Sequence, residues 1–236
     1  TPPAPSLSDA LHGADGCVIA TPPESHTEIA WKALGAGGHL MIEKPVSHQE
    51  DDLGHLFTAC ERAGRVHMVA YPWRYDAGLR RFRDAVATRA RPLTFTGGYG
   101  YNTGNATALR MGPLLDCSHF LDLTRWLFGD VEAVSCALAP NHTAHIGLRW
   151  DGIDGTATLS LTAPLNRWLH VEPGHVHWSR DDLDVNAMYV EEAKHFLACI
   201  RGKAVPLSDG WDGRETLRLA LAAQRSAAEG GRWISR

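Results

Sequence analysis

The stretch GCVIATPPESHTEIAWKALGAGGHLMIEKP, residues 16–45, decides the fold class. GCVIAT (16–21) is a short apolar, β-branched run closed by Pro22-Pro23, the pattern of a buried strand stopped by residues that cannot continue a hydrogen-bonded ladder. Ser25 or Thr27 is placed to cap the helix that follows. Its apolar residues Ile29, Ala30, Ala33 and Leu34 recur at helical spacing until Gly35, Gly37 and Gly38 end it. HLMI (39–42) is a second buried strand that stops at Pro45. Ser47 then opens a helix running through Ala63, with Leu53, Leu56, Phe57 and Cys60 on one stripe and Gly64 as terminator. VHMVAY (66–71) is a third strand. Strand, helix, strand, helix, strand with short connections predicts right-handed parallel crossovers, hence part of a doubly wound α/β sheet.

After Pro72 the rhythm changes. A basic amphipathic helix over about 76–89 precedes PLTFTGGYGY, whose Thr, Phe and Tyr favour an extended, edge-like strand. Gly112-Pro113 starts a mostly apolar helix, LLDCSHFLDLTRWLF, because proline is tolerated at the first helical position, and Gly129 ends it. From Val131 to Trp178 the chain reads as successive strands (VEAVSCALA, AHIGLRW, GTATLSLTA, WLHVE, HVHW) separated by Gly, Pro, Asn and Asp, which predicts a largely antiparallel sheet. NAMYVEEAKHFLACIRG and GRETLRLALAAQRSAAEGG are two late helices. No internal repeat or low-complexity tract is present.

The chain has 236 residues, 44% hydrophobic and 21% charged, the composition of a globular protein with one sizeable core or two small ones. Its 23 Lys and Arg against 27 Asp and Glu give a formal charge of -4 with no block of one sign, which argues against a nucleic-acid or membrane-surface partner. Cys17, Cys60, Cys117, Cys136 and Cys199 are widely spaced within apolar stretches and read as reduced core residues of a cytoplasmic protein. No apolar run approaches the roughly 18 residues that cross a bilayer, and no secretory signal pattern opens the chain.

At GGHLMIEKP (37–45) the sequence resembles the Gfo/Idh/MocA family (glucose-fructose oxidoreductase, inositol dehydrogenase), whose members carry an AGKHV-x-x-EKP motif after the fifth strand of the nucleotide domain. Further stretches agree in order. VIATPPESH (18–26) resembles the strand and loop beneath the nicotinamide, GPLLDCSHFLDLTRWLFG (112–129) the catalytic helix, and MYVEEAKHFLACIRG (188–202) with LRLALAAQRSAAEGG (217–231) the late helices. The resemblance implies the C-terminal half of a dinucleotide-binding Rossmann domain over residues 1–74. Residues 75–236 are then an α/β substrate-binding and oligomerisation domain, with a largely antiparallel open sheet covered by helices. It also implies hydride transfer between NAD or NADP and a secondary alcohol of a sugar, cyclitol or nucleotide sugar, and a homo-oligomer formed through the open sheet.

Oxidising a CH–OH group requires a base near neutral pKa to take the hydroxyl proton and a cation beside the developing alkoxide, tasks that suit histidine and lysine. By the family pattern Lys44 hydrogen-bonds the reacting oxygen, His119 is the general acid/base, and Asp116 orients substrate or imidazole. Asp116 and His119 lie three apart and so share a helix face. Thr21, Pro22, His26, Glu43, Lys44 and Arg74 are the cofactor-binding candidates, and Arg74 with Tyr75 in YPWRY resembles the family's N-x-R-F segment.

Two departures bear on function. The family's commoner D-x-G-x-H is here D-C-S-H (116–119), which leaves the role of Asp116 open. No G-x-G-x-x-G turn occurs; Gly35, Gly37 and Gly38 close a helix and do not join a strand to a helix N-terminus, so the phosphate-binding turn is expected upstream of Thr1. Weak or no dinucleotide binding by residues 1–236 alone is the corresponding expectation, and a non-catalytic sugar-binding or assembly module is the alternative reading. His175 and His177 alternate along a strand and share a face, but no acidic or cysteine partner is identifiable by spacing. They read as sheet-surface histidines, and no metal site is expected.

Overall fold

Strands β1 (Gly16–Ile19), β2 (His39–Glu43) and β3 (His67–Ala70) pair in parallel in the order β1-β2-β3. The computed structural model describes residues 3–50, 52–179 and 184–236, and these strands form the sheet of the first of two units, Thr1–Tyr71 with Val190–Glu215. Helix α1 (Leu7–Leu11) precedes β1. The crossover helices are α2 (His26–Gly35) and α3 (Leu53–Arg62). β2 is buried almost throughout, as expected of a parallel strand covered on both faces.

Two helix starts differ in detail from the sequence reading. Ser25 precedes α2, but its hydroxyl donates to Pro22 O (2.8 Å) and does not cap the helix. α3 begins at Leu53, six residues after Ser47. Ser47 is buried and its Oγ accepts from the Gln49 N–H, so it holds a turn.

One face of the sheet packs Met41, Met68 and Ala70 against Phe196 of α7 (Val185–Ile200), with Val66 and Ile200 at the margin. The outer edge of β3 is covered by the chain entering α8 (Gly210–Ala228). There the Val69 N–H donates to Ser208 O (2.9 Å), the Ser208 hydroxyl to Val69 O (2.7 Å), and the Gly210 N–H to His67 Nδ1 (3.0 Å). The polar groups of that edge are thus answered without a fourth strand.

The second unit is Pro72–Tyr189 with Thr216–Arg236. Its strands are β4 (Leu93–Gly100), β5 (Ala133–Ala139), β6 (Thr143–Trp150), β7 (Ile153–Ser160), β8 (Asn166–Glu172), β9 (Val176–Ser179) and β10 (Ile234–Ser235), in the order β10-β5-β6-β7-β4-β8-β9. All pairs are antiparallel except β4 with β7.

β4 lies between β7 and β8 and is not an edge strand. Its glycines make room for rings on both faces. A Cβ on Gly97 would come 2.6 Å from Phe120 Cζ, and one on Gly98 would strike the Trp168 indole, so large rings lie over the strand on both faces.

Helices α4 (Ala77–Ala87), α5 (Ala106–Asp116) and α6 (Ser118–Phe128) belong to this unit. Phe95 meets Phe120, Phe128 and Trp150 at ring separations of 6.2, 5.2 and 6.4 Å, forming the core between sheet and α6. On the other face, His145, Thr156, Thr158 and Trp168 are exposed.

Candidate active site

In the first unit five of the six expected cofactor residues, all but Arg74, gather where parallel strands end, the edge at which open α/β sheets bind ligands. Thr21 and Pro22 follow β1 and are exposed, with Thr21 Oγ1 2.7 Å from Ser25 Oγ. His26 is buried, its Nε2 2.7 Å from Thr21 O and its Nδ1 3.1 Å from Pro45 O. One imidazole therefore ties the loop after β1 to the loop after β2. Glu43 closes β2 and Lys44 follows it, both half-buried. Burial pushes the Glu43 carboxyl above the usual range, and the Lys44 charge opposes that shift. The Lys44 N–H donates to Glu43 Oε2 (3.1 Å), which fixes the carboxylate beside the loop.

In the second unit, Arg74, Asp116 and His119 are buried. The chain from Gly112 to Phe128 is not one helix. Gly112 adopts φ 77 and ψ 171, and Cys117 (φ -85, ψ 23) separates α5 from α6, so Asp116 closes one helix and His119 lies in the first turn of the next. The shared helix face expected for these residues is interrupted there. Asp116 instead accepts a hydrogen bond from the Tyr101 hydroxyl. The His119 ring lies flat on Trp73, with centroids 5.7 Å apart and planes 11° apart. Arg74 makes a two-pronged ion pair with Asp122, Nε–Oδ2 2.9 Å and Nη2–Oδ1 2.6 Å. The segment carrying Trp73 is thus anchored to the helix carrying His119.

Several side chains around His119 are not singled out by the sequence reading. Trp73 stands edge-on to Tyr99 (5.2 Å), Tyr99 stacks on Tyr101 (5.6 Å), and Trp178 approaches Trp73 (6.0 Å). Arg167 lies over both Trp73 (5.5 Å) and Tyr99 (4.9 Å), cation–π distances that join β8 to β4. Burial pushes the Tyr99 hydroxyl up to about 12, so it is a neutral hydrogen-bonding group at neutral pH. The period of two in GGYGY was the available signal for Tyr99 and Tyr101. Arg167 and Asp122 become visible only once β8 pairs with β4 and α6 packs under them.

Comparison with known proteins follows the same lines. Residues 2–71 match the family model described as oxidoreductase family, NAD-binding Rossmann fold. A D-apiose dehydrogenase of Paraburkholderia graminis is 25% identical over 264 residues, covering 90% of this chain and 70% of the relative. A levoglucosan dehydrogenase of Pseudarthrobacter phenanthrenivorans is 30% identical over 135 residues, covering 51% of this chain and 35% of the relative. Among solved structures, the WlbA dehydrogenase of Bordetella pertussis in complex with NADH and UDP-GlcNAcA superposes with a TM-score of 0.83 at 25% identity, covering 98% of this chain and 82% of that one. Sequence motifs, strand order and these likenesses agree: residues 2–71 match the Gfo/Idh/MocA oxidoreductase family with its NAD-binding Rossmann fold, and over most of its length the chain is similar to a sugar dehydrogenase and to a dehydrogenase solved with NADH.

Proposed function

We propose that the chain supplies the strand-end and helix-borne groups of an NAD- or NADP-dependent oxidoreductase acting on a secondary alcohol of a sugar, cyclitol or nucleotide sugar. The observation that carries this reading is the setting of His119, an imidazole held flat by Trp73 on a helix pinned through Asp122 to Arg74. A buried histidine held at that angle, with a carboxylate from Asp116 and hydroxyls from Tyr99 and Tyr101 nearby in the same unit, is suited to moving a hydroxyl proton. The likeness to sugar dehydrogenases supports the substrate class.

The residues present fit the nicotinamide side of a dinucleotide. Thr21 and Pro22, with His26 bracing them to Pro45, and Glu43-Lys44 occupy the ends of adjacent parallel strands. A nicotinamide held there would supply the acceptor for the carbinol hydride in oxidation and its donor in reduction. Lys44 donates a hydrogen bond to the reacting oxygen and stabilises the negative charge that develops there. His119 takes the hydroxyl proton in oxidation and gives it back in reduction. Asp116, held by Tyr101, orients the substrate or the imidazole, and Arg74 acts through Asp122 as a positioning residue. Residues 1–236 contain no glycine turn for the pyrophosphate, so this stretch by itself binds dinucleotide weakly.

The protein is read as a cytoplasmic homo-oligomer. All five cysteines are free, no described helix is long and apolar enough to cross a membrane, and Trp168 with the threonines of β7 leaves one sheet face open for a second copy.

The test is a panel of sugars, cyclitols and nucleotide sugars assayed for nicotinamide reduction, using the chain joined to an N-terminal strand and G-x-G-x-x-G unit of the family. Turnover that falls in His119→Ala supports the reading. Sugar binding without reduction of NAD or NADP would favour the non-catalytic sugar-binding or assembly module.

A further inference from the structure

The hairpin of β8 and β9 brings together side chains that sequence spacing does not connect. His170 Nε2 lies 2.9 Å from Glu172 Oε1, and His175 Nδ1 lies 2.5 Å from the same oxygen. The nitrogen and oxygen donors of His170, Glu172 and His175 all fall within 4.8 Å of one another. His177 pairs directly across the ladder from His170, with ring centroids 6.2 Å apart, and stands next to the cluster. The acidic partner that the alternation of His175 and His177 did not reveal is Glu172, three residues before His175 and on the neighbouring strand.

Three features make this more than a set of surface charges. The other carboxylate oxygen, Glu172 Oε2, accepts the N–H groups of Gly174 (3.0 Å) and His175 (3.3 Å), so the turn fixes the carboxylate and aims Oε1 at the two rings. Backbone support of this kind is what orients ligating carboxylates. His175 has φ 53, in the left-handed region that non-glycine residues rarely adopt, and Gly174 before it has φ 113. That tight turn brings the His175 ring back over the strand it has just left. Finally, both imidazoles converge on one oxygen, so a divalent cation entering there replaces two shared protons with one ion.

We propose that His170, Glu172 and His175 form a binding site for a zinc-like divalent transition-metal ion that clamps the β8–β9 hairpin, with His177 or water completing its coordination. Two imidazole nitrogens and one carboxylate oxygen are a known zinc donor set, and imidazole favours Zn2+, Ni2+ or Cu2+ over Ca2+ or Mg2+, which require oxygen ligands. Donors about 2.0–2.2 Å from a tetrahedral ion stand about 3.3 Å apart. The two nitrogen–oxygen separations, 2.9 and 2.5 Å, need to open by less than about 1 Å, and His175, whose side chain is 85% exposed, has room to adjust. The Arg89 guanidinium lies beside Gly174, so the ion would sit near one positive charge; the Glu172 carboxylate offsets it.

Isothermal titration with ZnCl2, together with equilibrium dialysis and metal analysis, tests this on the chain carrying Cys17→Ser, which removes a half-buried thiol as a competing ligand. The expected result is one zinc per chain, with His170→Ala and His175→Ala each weakening binding at least about tenfold. His55→Ala, which removes an exposed histidine paired with Asp52 elsewhere, should leave binding unchanged. Zinc should also raise the thermal midpoint of the parent and not that of the His170→Ala, His175→Ala double variant. No bound zinc, or equal binding by the parent and that double variant, overturns the proposal.

Discussion

Replacing Asp122 with alanine tests the anchor beneath His119. Arg74 and Asp122 are joined by two charge-assisted hydrogen bonds of 2.9 and 2.6 Å, and their side chains are only 4% and 2% exposed. Water therefore cannot take over from the lost carboxylate, and the guanidinium is left as a buried charge short of its principal counter-ion. Removing one partner of such a pair costs about 3–5 kcal/mol. At about 2–4 °C per kcal/mol for a chain of this size, the thermal midpoint falls by roughly 6–20 °C. Urea denaturation followed by tryptophan fluorescence gives the same quantity independently, because Trp73 stands in the disturbed region. Replacing both charges, as Arg74→Met with Asp122→Leu, removes the uncompensated guanidinium and should recover most of the loss. The exposed pair Lys32–Glu28 is the control, and Lys32→Ala should change the midpoint little. An Asp122→Ala protein within about 1 kcal/mol of the parent would refute the argument, because it would mean that the pair is effectively solvated.

Other outcomes follow from the same structure. Gly97→Ala should destabilise by about 1–3 kcal/mol in urea, since the new methyl would meet Phe120 and Phe95 rings that are themselves packed in the core. Burial holds the His67 imidazole below its ordinary 6.5, with Asp209 and Glu61 pulling the other way. The folded state thus favours the neutral ring, and this contribution to stability is complete above pH 6.5 and lost as pH falls below it. His67→Asn should flatten the slope of stability against pH in that range, whatever it does to the absolute value. Titrating NADH into residues 1–236 should give weak or no saturable binding, read by fluorescence, because these residues hold no G-x-G-x-x-G turn, and tight saturable binding would contradict that expectation.

Much of the first unit was legible in the sequence because buried parallel strands are continuous apolar runs, and GCVI, HLMI and HMVA announce themselves against glycine and proline stops. The second unit was less so. Thr, Phe and Tyr in β4 suit a central strand as well as an edge, and only its pairing with β7 on one side and β8 on the other shows which it is. The break at Cys117 leaves no mark in composition, since LLDCSHFL has helical periodicity on both sides of it. Lys44 and His119 stood out through motif resemblance. Trp73, Asp122 and Arg167 did not, because their partners lie on elements distant in the chain. The grouping of Val190–Glu215 with the first unit depends likewise on packing, through Phe196 on the sheet and Ser208 on the edge of β3.

We propose that Lys44 and His119 serve the same chemical step, and a double-mutant cycle on kcat is its sharpest test. In the chain joined to its nucleotide-binding unit, with a substrate found from the sugar panel, Lys44→Ala and His119→Ala should each lower kcat by about 10²–10⁴. The double variant should be scarcely slower than the worse single, because groups acting together on one transition state are not additive. Losses that simply multiply, or single variants that turn over as fast as their parent, would contradict it.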